Sequence, residues 1–335
     1  MNNVFIIGEI AQAHEGSLGI AHSYIDALAA CGVDAIKFQT HISEAESSAF
    51  ESFRVKFSYE DNSRFDYWKR MEFTLEQWKG LKKHCDEVGV EFISSPFSCA
   101  AVDLLEEVGV QRYKIGSGEM TNYLMLTKIA KTGKPMILSS GMSDYKELED
   151  CIAFLKPFGN KLSLLQCTTA YPTQPEQWGL KEIAELKERY GIRIGYSDHS
   201  SNITACIAAT ALGAEILEFH AVFDKNIFGP DSKASLNLEE IKQLVLAVRT
   251  LEKSMNHNID KSDLSPYKEL KILFGKSLAV NKNLSINHVL TFEDLESKKP
   301  GNMGIAAKDF NKVIGAKLAK PLMQWDFLKP EDLRH

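Results

Sequence analysis

The sequence predicts an α/β fold of the (β/α)8 or TIM-barrel type, followed by a small, mostly β appended domain. Short β-branched or aromatic runs alternate with amphipathic helical segments from residue 4 to residue 255. The alternation completes eight βα units in about 255 residues, the size expected of such a barrel. Beyond residue 255 the rhythm stops, and too few residues remain for another unit. A doubly wound open sheet is the alternative. It requires no eightfold count and usually carries a glycine-rich phosphate loop after its first strand, which GEIAQAHEG at residues 8–16 is not.

Taken in order, the first strand lies within residues 4–11 (FIIGEIA) and is followed by a helix to about residue 30. The second strand, AIKFQTH (35–41), leads into a polar, aromatic-rich stretch over 42–73 that breaks the rhythm. A long loop in a compact domain points to function, and the part near Trp68 and Trp78 reads as loop packing. Helix 75–88 and strand EFISSPF (91–97) resume the pattern. Helix 99–108, strand RYKIGSG (112–118), helix 123–131, strand PMILSSG (135–141) and helix 145–158 continue it. Strand LSLLQCTTAY (162–171), helix 180–190, strand RIGYSDH (193–199), helix 202–212, strand ILEFHAV (216–222) and helix 238–255 close it. The domain division is therefore 1–255 for the barrel, 256–276 for a polar linker with one helical turn, and 277–335 for the β-rich module.

The 44% apolar and 25% charged residues are ordinary for a globular protein, and the net charge of −6 argues against a general nucleic-acid or anionic-membrane binder. An anionic ligand must then be met by a local basic pocket. The six cysteines show no metal-ribbon or redox spacing and read as buried free thiols. The first residues lack the pattern of a signal peptide, and the longest apolar stretch, 203–217, is interrupted and short for a membrane span. A cytoplasmic protein is expected.

In a TIM barrel the chemistry sits at the C-terminal ends of the strands, and here those ends are polar. Lys37 and Lys114 lie inside otherwise apolar runs, where a buried ammonium costs several kcal/mol, roughly, unless an anion or a carboxylate meets it. Serines on neighbouring strands, Ser95, Ser117 and Ser139, supply donors suited to a phosphate. For either lysine alone a Lys and Glu pair closing the barrel mouth is the simpler reading; for both together, phosphate is preferred. His199 and His220 end consecutive strands, so both imidazoles emerge at one edge as a candidate metal pair, with Asp198 and Glu218 placed to orient them. Two unrelated histidines fit that spacing equally well. Cys167 reads as a packed thiol rather than a nucleophile, and His14 and His41 are the other histidines near strand ends.

The ordered motifs GEIAQAHEG, IKFQTH, SSPFS, YKIGSGE, ILSSGM, QCTTAYPT, IGYSDHS, EFHAVFDK and GPDSKASL resemble the sialic acid (N-acetylneuraminate) synthase family. KKPGNMG near Pro300 is similar to that family's C-terminal antifreeze-like (SAF) domain. The resemblance spans the chain. It implies a metal-dependent transferase of carbohydrate biosynthesis that joins phosphoenolpyruvate to N-acetylmannosamine or a related amino-sugar, with legionaminic or pseudaminic acid as alternative products. It also implies a divalent ion on His199 and His220, usually Mn2+, with Mg2+ or Co2+ as substitutes. Phosphoenolpyruvate would be held by Lys37, Ser95, Lys114, Ser117, Ser139 and Ser197. The sugar would meet Gln39, Glu119, Tyr171 and Asp231, with Lys299 arriving from a partner subunit, and Glu9 or Glu119 would act as the base.

This chain departs from the family pattern at Ala11 and Ala13, where glycine and asparagine are usual, at Phe219, where a basic residue is usual, and at Lys299, where arginine is usual. Lysine cannot reproduce arginine's planar two-pronged hydrogen bond. Two rivals stand beside this reading: a class I aldolase using Lys37 or Lys114 as a Schiff-base lysine, and a sugar-binding barrel without catalysis. A linker of roughly 20 residues, extended to about 60 to 70 Å, would let the small domain cross to a neighbouring barrel, so a domain-swapped homodimer is expected.

Overall fold

The protein is described from a computed structural model, which describes residues 3–55 and 57–334. The chain divides into two compact units, Met1–His257 and Asn258–His335. In the first, parallel strands β1 (Phe5–Ala11), β2 (Ala35–Thr40), β3 (Glu91–Pro96), β4 (Tyr113–Ile115), β5 (Met136–Ser139), β6 (Leu162–Cys167), β7 (Arg193–Asp198) and β8 (Ile216–Val222) pair in sequence order. β8 returns to β1 in the register Phe5 to Ile216 and Glu9 to His220, which closes a TIM barrel. A two-residue strand β9 (Leu236–Asn237), not anticipated, pairs in parallel with the end of β8.

Strand periodicity explains how one sequence builds both a plug and a polar floor. Side chains two residues apart share a face. Ile7, Ala35, Ile93, Ile137, Leu165 and Ile216 fill the barrel interior as one apolar cluster. Two residues further along the same strands stand Glu9, Lys37, Ser95, Ser139, Cys167 and Glu218. On β7 the plug position is Gly195, where a Cβ would lie 2.4 Å from the Ile216 carbonyl oxygen and 2.5 Å from Leu165 Cδ2. Only a residue without a side chain fits there, and Ser197 follows it.

The outer faces of the strands bury against helices α1 (Leu18–Cys31), α4 (Leu75–Val88), α5 (Cys99–Val108), α6 (Tyr123–Ala130), α7 (Tyr145–Leu155), α8 (Glu182–Tyr190), α9 (Ile203–Ala211) and α10 (Leu238–Met255). Side-chain caps fix where several begin. Thr74 and Gln77 form a capping box at α4, Asn237 and Glu240 another at α10, and Ser98 caps α5. Gly89 and Gly109 end α4 and α5 in the left-handed conformation that glycine adopts without penalty.

Two sequence expectations change. The stretch 42–73 is not all loop: α2 (Ser43–Glu46) and α3 (Arg64–Met71) lie within it, and Tyr67, Trp68 and Met71 bury a small core of their own with Phe53 and Phe57. The apolar spacing of so short a helix gives little periodic signal. The expected strands 112–118 and 162–171 are shorter, because the chain leaves the ladder at Ile115 for a helical turn over Ser117–Glu119 and at Cys167 for the loop carrying Thr169 and Tyr171.

Ala11, at the end of β1 beside a register shift, has φ 42°. A left-handed alanine costs about 1 to 2 kcal/mol, against about 0.5 to 1 kcal/mol for the greater chain entropy of glycine. Ala11→Gly should therefore raise the unfolding free energy by about 0.5 to 1 kcal/mol in urea titration. A loss of stability would contradict the strain.

In the second unit, antiparallel pairs β10 (Ser277–Val280) with β11 (Leu295–Lys298) and β12 (Lys317–Leu318) with β13 (Leu333–Arg334) surround a core of Leu278, Val280, Leu290, Leu318 and Leu328. Between β10 and β11, residues 288–294 contribute a bridge at Val289 and a turn over Phe292–Asp294. The stretch 256–276 holds a turn at Ser265–Tyr267 and helix α11 (Lys268–Phe274). Helical residues advance about 1.5 Å each instead of 3.3 Å, so its reach is shorter than the extended figure.

Candidate active site

At the C-terminal mouth of the barrel is a cavity of about 370 Å³ lined by Glu9, Lys37, Gln39, Ser95, Lys114, Ser117, Glu119, Ser139, Tyr171, Ser197, His199, His220 and Asp231. All the catalytic, phosphoenolpyruvate, sugar and metal candidates named from the barrel sequence therefore line this space, whereas Asp198 and His14 do not. Lys299 belongs to the second unit, where its ammonium lies 5.0 Å from the centre of the Phe274 ring.

The floor is a buried charge network. Lys37 Nζ is 2.7 Å from Glu9 Oε1 and 3.4 Å from Glu218 Oε1, and Lys114 Nζ is 3.3 Å from the same Glu218 oxygen. A protein carboxylate thus meets each ammonium. Lys114 also donates to Ser139 Oγ at 2.6 Å, Lys37 to Ser95 Oγ at 3.4 Å, and Ser197 to Glu218 Oε1 at 3.2 Å. Ser117 Oγ accepts from the Gly141 N–H at 3.1 Å.

The two lysines are not equivalent. Burial disfavours the charge on Lys37, but Glu218 and Glu9 outweigh it and raise its pKa. Burial dominates at Lys114, whose pKa is lowered although Glu218 opposes this. Glu9 remains well below the usual carboxylate range, because His220 and Lys37 together overcome its burial. The second oxygen of Glu218, Oε2, is buried with no hydrogen-bond partner among the described residues. An acceptor held in this state costs free energy, which is a feature of sites built to receive something.

His199 and His220 stand with ring centres 5.2 Å apart. His199 Nδ1 lies 3.2 Å from the Thr168 carbonyl oxygen, so Nδ1–H donates there and the Nε2 lone pair is left for a ligand. Burial pushes the His199 pKa down to about 3, which keeps the ring neutral. His220 Nε2 is 3.3 Å from Glu9 Oε2. Among the described residues no group of three or more His, Cys, Asp or Glu side chains is placed to hold a metal. Two imidazoles beside one carboxylate nevertheless suit a divalent ion that keeps positions open for substrate.

The orienting partners differ from those the sequence suggested. Asp198 takes hydrogen bonds from Ser200 N at 3.1 Å and Ser200 Oγ at 2.9 Å instead of holding a ring, and burial raises its pKa to about 6. Glu218 serves the lysines. Phe219 is buried among the barrel helices, away from the cavity, because alternate residues of β8 face opposite ways. Cys167 is a packed thiol: burial raises its pKa to about 11, although His199 Nδ1 is 3.9 Å from its sulfur.

Among the residues assigned to the sugar from the sequence, Glu119 accepts from Asn122 Nδ2 at 2.7 Å, and burial raises its pKa. Arg54, which no sequence motif singled out, binds Asp231 Oδ1 at 2.8 Å and lies 4.3 Å from the centre of the Tyr171 ring. Tyr171 in turn packs 4.4 Å from His199. Gln12, His41, Glu46, Arg64 and Trp68 also line the cavity. The only sequence signal for most of these was the length and aromatic content of the stretch 42–73.

His14 is not in the cavity lining. It is buried, accepts from Gly16 N at 3.0 Å, and burial lowers its pKa to about 3. The unfolded chain therefore takes up this proton first, near pH 6.5, so the stability from a neutral His14 is full above that pH and declines toward pH 3. The decline amounts to about 2 kcal/mol at pH 5. His14→Asn should flatten the acid limb of the stability curve between pH 6.5 and 5; an unchanged slope would assign that limb to other groups.

Residues 24–260 match the model of the NeuB family. The chain is 36% identical over 321 residues to the N,N'-diacetyllegionaminic acid synthase of Campylobacter jejuni, covering 94% of this chain and 96% of that protein. It is 33% identical over 335 residues to a pseudaminic acid synthase of C. jejuni, covering 99% and 97%. It also superposes on the crystal structure of the N-acetylneuraminic acid (sialic acid) synthetase of Leptospira borgpetersenii, with a TM-score of 0.71 and 32% identity over 81% of this chain and 91% of that one. Among the described residues no helix is long and apolar enough to cross a membrane. A family model covering most of the barrel, together with relatives above 30% identity along nearly the whole chain, places this protein in the NeuB family of sugar acid synthases.

Proposed function

We propose that the protein condenses phosphoenolpyruvate with a six-carbon amino-sugar to give a nine-carbon nonulosonic acid and phosphate. The observation that carries this is the pair of buried ammoniums, Lys37 and Lys114, with hydroxyls of Ser95 and Ser139 on them, lining the same cavity as two imidazoles. Phosphoenolpyruvate is anionic at both its carboxylate and its phosphate, and such a floor binds and orients it. Its methylene carbon is a weak nucleophile, so the sugar aldehyde has to be made electrophilic. A divalent ion, Mn2+ in this reading, held by His199 and His220 would supply Lewis-acid polarisation of the aldehyde.

The chain's own residues do the rest. Once the carbon–carbon bond forms, the positive charge left at the enol carbon is taken by water, and the tetrahedral intermediate collapses by carbon–oxygen cleavage to release phosphate. Lys37 and Lys114 stabilise the departing phosphate. Of the two candidate bases, Glu9 already has its oxygens engaged by Lys37, Gln39 and His220, whereas Glu119 holds one partner and is the freer proton acceptor. Tyr171, Asp231 and Gln39 would face the sugar.

The experiment is phosphate release from phosphoenolpyruvate with Mn2+ and, in turn, N-acetylmannosamine and the diacylamino deoxy-sugars of the legionaminic and pseudaminic series. Silence with all of them would end the proposal. One observation supports a second reading: the lowered pKa of Lys114 suits a Schiff-base aldolase. Borohydride trapping with pyruvate would mark Lys114 under that reading and leave the protein unlabelled under the first.

The proposal extends to assembly and setting. The second unit is read as an antifreeze-like module that serves the partner's barrel in a homodimer. Truncation after Met255 should abolish turnover and yield monomers in sedimentation; an active monomeric barrel would refute the arrangement. All six cysteines are free, as fits a reducing, cytoplasmic setting.

A further inference from the structure

Outside the lysines and the histidine pair, the mouth of the barrel holds a second constructed element with no part in the scheme above. His41, buried just past the end of β2, is clamped between two aromatic rings: Trp68 at 3.8 Å and 13° between planes, and Phe97 at 4.4 Å and 11°. Its ring is thus fixed in position and tilt. Nδ1 lies 2.6 Å from Glu46 Oε1, and the other Glu46 oxygen accepts from the Ile42 N–H at 3.3 Å, which anchors the carboxylate. Nε2 lies 2.9 Å from Gln12 Nε2 and 3.2 Å from Gln39 Oε1.

Proton bookkeeping selects one arrangement. Glu46 beside Nδ1 calls for an Nδ1–H donor. Nε2, facing the Gln12 amide nitrogen, then carries the lone pair and accepts from it. The second N–H of Gln12 donates to Gln39 Oε1 at 2.5 Å, leaving Gln39 Nε2 to donate to Glu9 Oε1 at 2.6 Å. Each hydrogen bond in the chain from Glu46 to Glu9 then joins one donor to one acceptor. The opposite tautomer would leave a carboxylate facing a lone pair and bring two N–H groups together.

We propose that His41 is a positioning residue, locked as the Nδ1–H tautomer by Glu46, that fixes the Gln12 and Gln39 amides and through them the Glu9 carboxylate at the cavity floor. Its catalytic consequence rests on the condensation proposed above. Gln39 and Glu9 both face the reacting space, so an unlocked relay loses orientation at the reaction centre while the lysine and serine contacts to phosphoenolpyruvate stay in place.

The first test needs no turnover. In the full-length protein, 15N NMR of the histidine ring nitrogens at pH 8 should find His41 as the Nδ1–H form, and an Nε2–H form would overturn the proposal. The second is kinetic. His41→Phe preserves the aromatic clamp but removes both nitrogens; kcat should fall at least about tenfold, with KM for phosphoenolpyruvate within about twofold of wild type. His41→Gln, whose amide can still donate to Glu46 and accept from Gln12, should recover most of that loss. Glu46→Ala should resemble His41→Phe, and combining the two should add little. A His41→Phe enzyme within about twofold of wild-type kcat would overturn the positioning role. If the wild-type protein turns over no amino-sugar, the reaction assignment fails by itself, and the tautomer still decides whether His41 holds Gln12.

Discussion

Replacing Lys37 by methionine is expected to unfold the barrel at markedly lower denaturant, whereas the same replacement at Lys114 is expected to leave stability nearly unchanged. Both ammoniums are buried and both touch Glu218, but only Lys37 also holds Glu9. Removing it leaves Glu9 buried without its lysine and Glu218 with Lys114 alone, a break that costs about 3 to 5 kcal/mol. Lys114 is the opposite case. Burial already opposes its charge, and Glu218 keeps Lys37 when it is gone. Its removal should shift stability by about 1 kcal/mol or less in either direction, because an apolar chain of similar volume can replace a poorly compensated charge. Both variants should lose phosphate release by at least about a thousandfold, since in the proposed reaction each lysine stabilises the departing phosphate. Urea unfolding of the two variants separates these outcomes. Equal destabilisation would mean that the network shares its charge evenly, and the asymmetry argued here would be wrong.

The second large effect is expected at the histidine pair. His199→Ala and His220→Ala should each weaken Mn2+ binding by more than the 10- to 100-fold typical of losing a mere supporting residue, and turnover should fall with it. The barrel should remain folded, because neither ring belongs to the apolar plug or to the helix-facing core. Titration calorimetry with the metal alone gives the affinity without reference to activity. A His220→Ala protein with wild-type affinity would make that ring a partner of Glu9 and nothing more. Thr168 supplies an internal control: its carbonyl fixes the His199 tautomer through the backbone, so Thr168→Ala should leave binding within about twofold of wild type.

The barrel was legible in the sequence because each strand carries its own two-residue alternation. FIIGEIA places Ile7 in the plug and Glu9 above it, and ILEFHAV does the same with Ile216 and Glu218, whatever the rest of the chain does. Helices α4, α5 and α10 run over the residues their periodicity predicts. The polar residues two steps beyond the plug had to gather at one mouth once eight such strands ran parallel, so the cavity's walls followed from local pattern plus barrel closure.

Partner choice within those walls did not follow. Glu9 reaches His220 because β1 closes on β8 in the register that pairs those two residues, across a separation of more than 200 positions that no local pattern records. Glu218, two residues before His220, turns instead to the lysines of β2 and β4, and Asp198 turns to Ser200. The 42–73 stretch was harder still. Its helices are too short to show a period, yet it delivers Arg54 to Asp231 and Trp68 to the face of His41. Local sequence determined which residues face the mouth, because side-chain direction is set by the repeat of a single strand. Tertiary structure alone decided which of them hold one another, because hydrogen bonds and ion pairs depend on distances between strands and loops far apart in the chain.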